Sequence, residues 1–219
     1  MNDTRAALVE AYGAVAPLLS SAELRAKWET ESSLQAFSVK GLAGHLVRQG
    51  EGVVTYLDDP EPFDDPVPAG AYYTSVLAGM DADAHAQVRE RGEAMAGEGP
   101  DALVTRHALA AKRLEAALVG SPPDRLVRVF RGVVMRIDDY VITRLVEILV
   151  HADDLAVSLG VPRPSFAGTA IELAIGHLVD VARLQHDDFA VLIALTRRER
   201  DTRDALRVFG PISETGKAR

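Results

Sequence analysis

The sequence of 219 residues contains no cysteine. Disulfide bonds, zinc sites with thiolate ligands and a cysteine nucleophile are therefore all excluded. Any metal would have to be bound by histidine, aspartate or glutamate, and any thiol chemistry would need a thiol from a small molecule. Lysine is also scarce, so arginine supplies nearly all of the positive charge. This usage indicates a GC-rich genome and says nothing about function.

Long apolar segments and an excess of positive charge are missing as well. No run approaches the ~18 uncharged apolar residues that a membrane span needs, and the first residues lack the basic-then-apolar layout of a signal peptide. We therefore expect a cytoplasmic protein with no membrane partner. The formal net charge of −8 would repel nucleic acid, so no nucleic-acid partner is expected. Hydrophobic residues make up 47% of the chain, which is enough for an ordinary globular core.

The spacing of apolar residues predicts a mainly helical chain. The predicted helices cover residues 3–19, 39–57, 71–96, 101–118, 138–159 and 166–184. Asp3 or Thr4 could cap the first of them, and Ser38 the second. The four prolines between Asp58 and Gly70 predict a loop that separates the second helix from the third.

The segments between and after these helices are less regular in pattern. The third helix should be interrupted near Gly79, and residues 125–134 could form a short extended crossing. The apolar segments 188–195 and 206–210 are compatible with either a strand or a buried helix.

The helix predicted over 138–159 carries a narrow polar stripe on an otherwise apolar surface. Asp138 or Asp139 should cap it, and Gly160 and Pro162 should end it. At about 100° per residue, one line along the helix holds Tyr140, Thr143, Arg144, Glu147, His151, Asp154 and Ser158. Such a stripe usually faces water. Its narrowness here indicates that most of the helix is buried.

Glu147 and His151 stand four residues apart on this stripe, so their side chains meet at one point. Together they offer a carboxylate oxygen and an imidazole nitrogen to a metal. The pair alone does not define a site, because it occurs by chance in many helices and a third ligand is required. The histidines at 85, 107, 177 and 186 have surface-like or ordinary amphipathic surroundings, and none is favoured as that ligand.

His45 is the remaining histidine, and it lies in the helix predicted over 39–57. Gly41 precedes it by four residues and Gly52 follows it by seven. These small neighbours could leave open space above the imidazole, as a ligand pocket needs. They could equally be glycines that let two helices pack closely, with His45 as a bystander. The spacing alone leaves both interpretations open.

The two blocks around these residues resemble the mycothiol-dependent maleylpyruvate isomerase family of the DinB-like superfamily. The first block runs from Trp28 through Phe37-Ser-Val-Lys-Gly-Leu-Ala-Gly-His45-Leu. The second is Arg144-Leu-Val-Glu147-Ile-Leu-Val-His151-Ala-Asp-Asp154-Leu. They come in the right order and at the right distance, and the resemblance covers about residues 1–160.

The resemblance implies a mainly all-α protein. Residues 1–164 would form an up-down four-helix bundle, and residues 165–219 a short α or α+β appendage. The bundle would hold one divalent metal, zinc by expectation, on His45, Glu147 and His151, with mycothiol as the co-substrate. Three protein ligands leave a fourth position open, as in catalytic zinc sites. Asp154 could orient the ring of His151, and Arg144 is a second candidate near the metal.

The activity implied by the resemblance is the transfer of a metal-activated thiol to a small electrophile. The tail is too short for the full C-terminal domain of the isomerase, so an S-transferase is favoured over it. Three alternatives stay open: a cis–trans isomerase of a small diacid, hydrolysis by a metal-bound water, and a non-enzymatic bundle that binds metal or ligand in a stress response. The expected partners are a small-molecule thiol and an electrophile, and the chain should be a monomer or a homodimer.

Overall fold

The computed structural model describes residues 1–77 and 79–197 and the single positions 199, 206 and 208. Helices dominate, as predicted. In chain order they are α1 (Asp3–Ala14), α2 (Ala16–Leu19), α3 (Ala22–Ala26), α4 (Val39–Asp58), α5 (Ala69–Ala71), α6 (Ala82–Ala96), α7 (Pro100–Gly120), α8 (Ile137–Leu159), α9 (Gly168–Gln185) and α10 (Asp188–Thr196). A π-helical turn spans Tyr72–Leu77, so the third predicted helix is interrupted around Gly79 as expected.

Four of these helices, α1, α4, α7 and α8, pack against one another as a bundle. Their apolar faces meet in a core that excludes water, with Leu8, Leu46, Leu114 and Leu145 fully buried. The fold is thus an all-α DinB-like bundle, and α9 and α10 add a small helical appendage. No helix within the described residues is long and apolar enough to cross a membrane.

The first helix is shorter than predicted. It stops at Ala14, and α2 begins at Ala16 with Pro17 in its first turn. Proline has no backbone N–H and its ring collides with the carbonyl four residues earlier, so a single helix over 3–19 cannot form. Its cap is also different, because Asn2 rather than Asp3 or Thr4 accepts the hydrogen bond from the backbone N–H of Arg5.

Helix α8 begins one residue earlier than predicted, and neither aspartate caps it. The N-cap residue is Arg136, and its side chain makes no capping hydrogen bond. Asp138 instead accepts a 2.5 Å hydrogen bond from Nε of Arg5 and ties α8 to α1. The end of the helix is as predicted, with Gly160 in the left-handed conformation that glycine adopts without strain.

Helix α4 is capped by Ser38 as predicted, but two of its glycines, Gly41 and Gly44, do not open a pocket. A Cβ atom added to Gly44 would overlap the backbone carbonyl of Gly92, and one added to Gly41 would lie 2.7 Å from Oε1 of Glu93. The interpretation in which Gly41 leaves space above His45 is therefore wrong at this position. The glycines let the backbones of α4 and α6 touch.

The segment predicted as one extended crossing over 125–134 is a small hairpin. Strands β1 (Leu126–Arg128) and β2 (Val134–Arg136) pair antiparallel. A short 3₁₀ turn over Phe130–Gly132 joins them, with Arg131 at φ 62° and Gly132 at φ 77°. This turn brings the Phe130 ring to the mouth of a cavity in the bundle.

The ambiguous segment 188–195 is helical and forms α10, whereas the segment 206–210 lies largely outside the described residues. Helix α9 contacts α1 and α8, and its Ala170 belongs to the main core. A second, smaller apolar cluster joins Tyr73 to Val181 and Val191 of the appendage. The division into 1–164 and 165–219 stays a prediction.

Candidate metal centre

Three metal-ligand atoms converge where α4 faces α8. Nε2 of His45 lies 3.3 Å from Oε2 of Glu147, and Nε2 of His151 lies 3.1 Å from the same oxygen. One ligand atom from each residue lies within 4.8 Å of the other two. In a tetrahedral site with metal–ligand bonds of about 2.0–2.2 Å, ligand atoms are separated by roughly 3.3–3.6 Å. The three side chains could hold a divalent ion after small adjustments.

The local structure explains why these atoms meet. Glu147 and His151 lie one turn apart on α8, on the face turned toward α4. His45 lies in the middle of α4, and its ring packs edge-on against the His151 ring at 4.8 Å between centroids. The polar stripe predicted on α8 therefore does not face water, and Tyr140 and Thr143 on it are buried.

The three groups differ in their protonation states. Burial lowers the pKa of His45 to about 4, so this ring is neutral at pH 7. Burial alone would raise the pKa of Glu147, but hydrogen bonds from His151 and His45 hold it well below its ordinary value. Burial would lower the pKa of His151, but hydrogen bonds to Asp154 and Glu147 raise it to about 9. Two of the three candidate ligands, the neutral ring of His45 and the ionised carboxylate of Glu147, thus already have the charge state that metal binding requires.

Asp154 lies on the outer side of His151, away from the point of convergence. Its Oδ2 is 3.0 Å from Nδ1 of His151, so the carboxylate accepts the ring N–H that a ligand histidine does not use for the metal. The bond orients the ring with Nε2 toward Glu147, and it favours the proton on Nδ1 when the ring is neutral. This is the position predicted for Asp154 from its place on the helix.

Arg144 reaches the site through a residue that the sequence analysis missed. Its Nη1 donates a 2.7 Å hydrogen bond to Oε1 of Gln49. The amide nitrogen of Gln49 donates to the backbone carbonyl of His45 at 2.9 Å and lies 3.0 Å from Nε2 of that ring. Gln49 is almost fully buried, and it follows His45 by one helical turn. The spacing of four residues from His45 was the feature of the sequence that could have indicated Gln49.

A cavity of about 260 Å³ opens beside the three ligand atoms. Its wall is rich in aromatic side chains, namely Phe37, Tyr56, Tyr72, Phe130 and Tyr140. Tyr72 and Phe130 come from elements outside the two sequence blocks and the helices that carry them, so only the folded chain brings them to this place.

Three of the four histidines that the sequence analysis set aside lie in different kinds of place, and the fourth, His186, is the C-cap residue of α9. His107 is buried, and its Nε2 is 2.9 Å from the carbonyl of Tyr12, so it has a structural partner. His177 packs near Tyr73, and the exposed side chain of His85 lines the cavity. Within the described residues, only His45, Glu147 and His151 form a group of three or more side chains suited to hold a metal.

The bundle and its convergent histidines and glutamate define a helical protein with a candidate site for a divalent metal. The chain belongs to the family described as mycothiol maleylpyruvate isomerase N-terminal domain, whose family model matches residues 8–156. This family is part of the DinB-like superfamily, and the resemblance inferred from the two sequence blocks is confirmed. No significant match was found among curated proteins or among solved structures.

Proposed function

We propose that this protein is a metal-dependent S-transferase that joins a low-molecular-weight thiol, mycothiol by preference, to a small electrophile. His45, Glu147 and His151 hold the metal, which we expect to be zinc. The observation that carries the proposal is the convergence of three ligand atoms at the wall of a cavity large enough for small molecules. The mycothiol-associated family supports the choice of thiol.

The donor set fits a divalent ion with one position left for a further ligand. Two imidazoles and one carboxylate are the ligand set of several catalytic zinc sites. A thiol of pKa about 8.5 is largely protonated at pH 7, and coordination to a divalent metal deprotonates it. The chain has no cysteine, so its nucleophile has to come from the co-substrate.

The protein's own residues prepare this reaction. Glu147 supplies the negative charge among the ligands, and Asp154 holds His151 with Nε2 toward the metal position. Aromatic side chains supply much of the apolar surface of the cavity. The thiol proton leaves to solvent, and the sulfur forms a C–S bond with the electrophile. A leaving group departs with the electron pair of the bond it breaks.

The cis–trans isomerase remains a second candidate because of the arginines. That reaction needs cationic groups near the metal to bind a diacid, and Arg48 and Arg91 line the cavity in addition to Arg144. Both reactions begin with thiolate attack, but the isomerase returns its thiol while the transferase consumes it. Thiol consumption therefore distinguishes the two.

The test is the turnover of a chromogenic electrophile by metal-loaded protein with mycothiol, with glutathione and with no thiol. We expect acceleration that requires both metal and thiol and consumes one thiol per product. Glu147→Ala should abolish it at saturating thiol while the circular dichroism of the bundle is retained. No acceleration with any thiol would contradict the proposal, and turnover without net thiol loss would favour the isomerase.

A further inference from the structure

Two arginines face the cavity beside the candidate metal centre, and no acidic side chain among the described residues forms an ion pair with either of them. No hydrogen bond or ion pair to Arg48 is found within the described part of the chain. Arg91 donates from Nε to the carbonyl of Gln87 at 3.2 Å, and its two terminal nitrogens have no partner among the same residues. Both side chains are half-buried. Guanidinium groups in a concave site without a counterion are suited to bind an oxyanion.

The packing of α4 on α6 holds these two side chains near each other. The helix backbones touch where Gly44 meets Gly92. Arg48 lies one turn beyond Gly44, and Arg91 directly precedes Gly92. Burial of the Arg91 side chain lowers its pKa, and the positive charge of Arg48 lowers it further. Two cations held together in this way repel each other, and a bound anion would relieve the repulsion.

The orientation of Arg91 is fixed by the hairpin. Its guanidinium carbon lies 3.9 Å from the centre of the Phe130 ring, so the two planar groups are in contact. Phe130 is held there by the turn whose next residue, Arg131, has a positive φ. Arg144 is different, because two of its three guanidinium nitrogens donate to Gln49 and Thr143.

The charges of the cavity favour an anionic ligand although the protein as a whole is acidic. Glu147 is the one acidic side chain among the described residues of the lining, and it already faces two histidines. The three lining arginines thus leave a local excess of positive charge in a chain of net charge −8. The local field of a cleft decides which ligand enters it.

We infer that Arg48 and Arg91 bind the carboxylate of the acceptor molecule and place its apolar part against Phe130, toward the metal centre. The inference deepens the proposed function, because it specifies an electrophile that carries a carboxylate. It depends on the proposed function in one respect only, namely that the bound carboxylate belongs to the acceptor molecule. The binding site itself requires no turnover.

The test uses benzoate and its neutral isostere benzamide as probes, because both offer a planar ring to Phe130. Calorimetric titration of metal-loaded protein should give a dissociation constant at least about tenfold lower for benzoate than for benzamide. The double variant Arg48→Gln/Arg91→Gln should bind the two probes equally and keep the wild-type metal content. Arg89→Gln on the same helix removes a charge without touching the cavity lining, and it should keep the preference.

Each other outcome overturns the inference. If wild-type protein shows no preference for benzoate, the arginine pair is not a carboxylate site. If the double variant keeps the preference for benzoate, the metal or another group binds the anion. If Arg89→Gln loses the preference to the same extent as the double variant, only the overall positive charge of this region is responsible. Because these titrations contain no thiol, they stay informative even if the transferase activity is absent.

Discussion

At the scale of single residues, the candidate metal centre depends on how each ligand ring is held. His151 is positioned by the carboxylate of Asp154. His45 has no such partner, since its buried Nδ1 makes no hydrogen bond within the described chain, and it is positioned by Gln49 and by packing. The two imidazoles therefore respond to different substitutions.

Asp154→Asn tests the first of these supports. The amide can still accept a hydrogen bond from Nδ1 of His151, but it lacks the charge that makes the ring a better ligand. We expect metal affinity to fall by roughly ten- to a hundredfold. The measurement is competition for zinc with a chromogenic chelator. Asp153→Asn is the matched control, because the Asp153 side chain is near Arg163 instead of the site. Equal affinities in the two variants would contradict the role of Asp154.

The raised pKa of His151 predicts how metal affinity depends on pH. Below a pKa of about 9 this ring carries a proton that the metal must displace. The ring of His45, with a pKa of about 4, and the carboxylate of Glu147 are already deprotonated at pH 6. Affinity should therefore rise by about tenfold per pH unit from pH 6.5 to 8.5 and level off above pH 9. Chelator competition across this range is the check, and an affinity independent of pH would contradict the assignment.

At the scale of elements, the contact between α4 and α6 determines the shape of the cavity. Its glycines are needed for space, because a Cβ atom on Gly44 would overlap the carbonyl of Gly92 and one on Gly92 would overlap the carbonyl of Gly41. The same contact places His45 and Arg48 on one helix opposite Arg91 on the other. A change in this packing should therefore affect stability and ligand binding together.

Gly44→Ala tests this packing. The new methyl group would overlap the carbonyl of Gly92, so the helices must separate, at a cost of about 1–3 kcal/mol in unfolding free energy. Gly52→Ala is the control on the same helix, because its nearest neighbour would be the Tyr140 hydroxyl at an ordinary 3.5 Å. It should be neutral or stabilise by up to about 1 kcal/mol through helix propensity. Urea denaturation compares the two, and equal stabilities would contradict close packing at Gly44.

The helix ends that the sequence predicted correctly are those set by a residue at the end itself. Ser38 begins α4 and Gly160 ends α8, and each does so through its own hydrogen bonds or backbone angle. Two of the errors arise from contacts that the local pattern does not contain, whereas the break in the first helix follows from Pro17, which the sequence itself shows. Asp138 caps nothing because Arg5 takes its carboxylate, and the hairpin at Phe130 needs a pairing between two strands of three residues. No local pattern contains that information.

At the scale of the whole molecule, the candidate site was predictable only as far as its sequence blocks extend. Glu147 and His151 were visible because a helix places them together, and His45 because the family pattern includes it. Arg48, Arg91 and Phe130 were not, because they come from three separate elements that meet at one cavity. The candidate metal ligands thus belong to the two sequence blocks, whereas the groups proposed to select the acceptor are brought together only by the tertiary structure.

The central claim is that a metal held by His45, Glu147 and His151 binds a thiol at its open position. Cobalt(II) tests both parts at once, because a thiolate bound to it produces an intense charge-transfer absorption in the near ultraviolet. The matched variant is His151→Ala, since two remaining ligands hold a divalent ion poorly.

Titration of cobalt-loaded protein with mycothiol at pH 7 is the most direct measurement. The account predicts a thiolate-to-cobalt band that saturates at one thiol per metal ion, with one metal ion per chain, and no metal or band in His151→Ala. Cobalt retained at full occupancy by that variant would contradict the ligand assignment. A cobalt-loaded wild-type protein that shows no band at saturating thiol would contradict the proposed thiol chemistry.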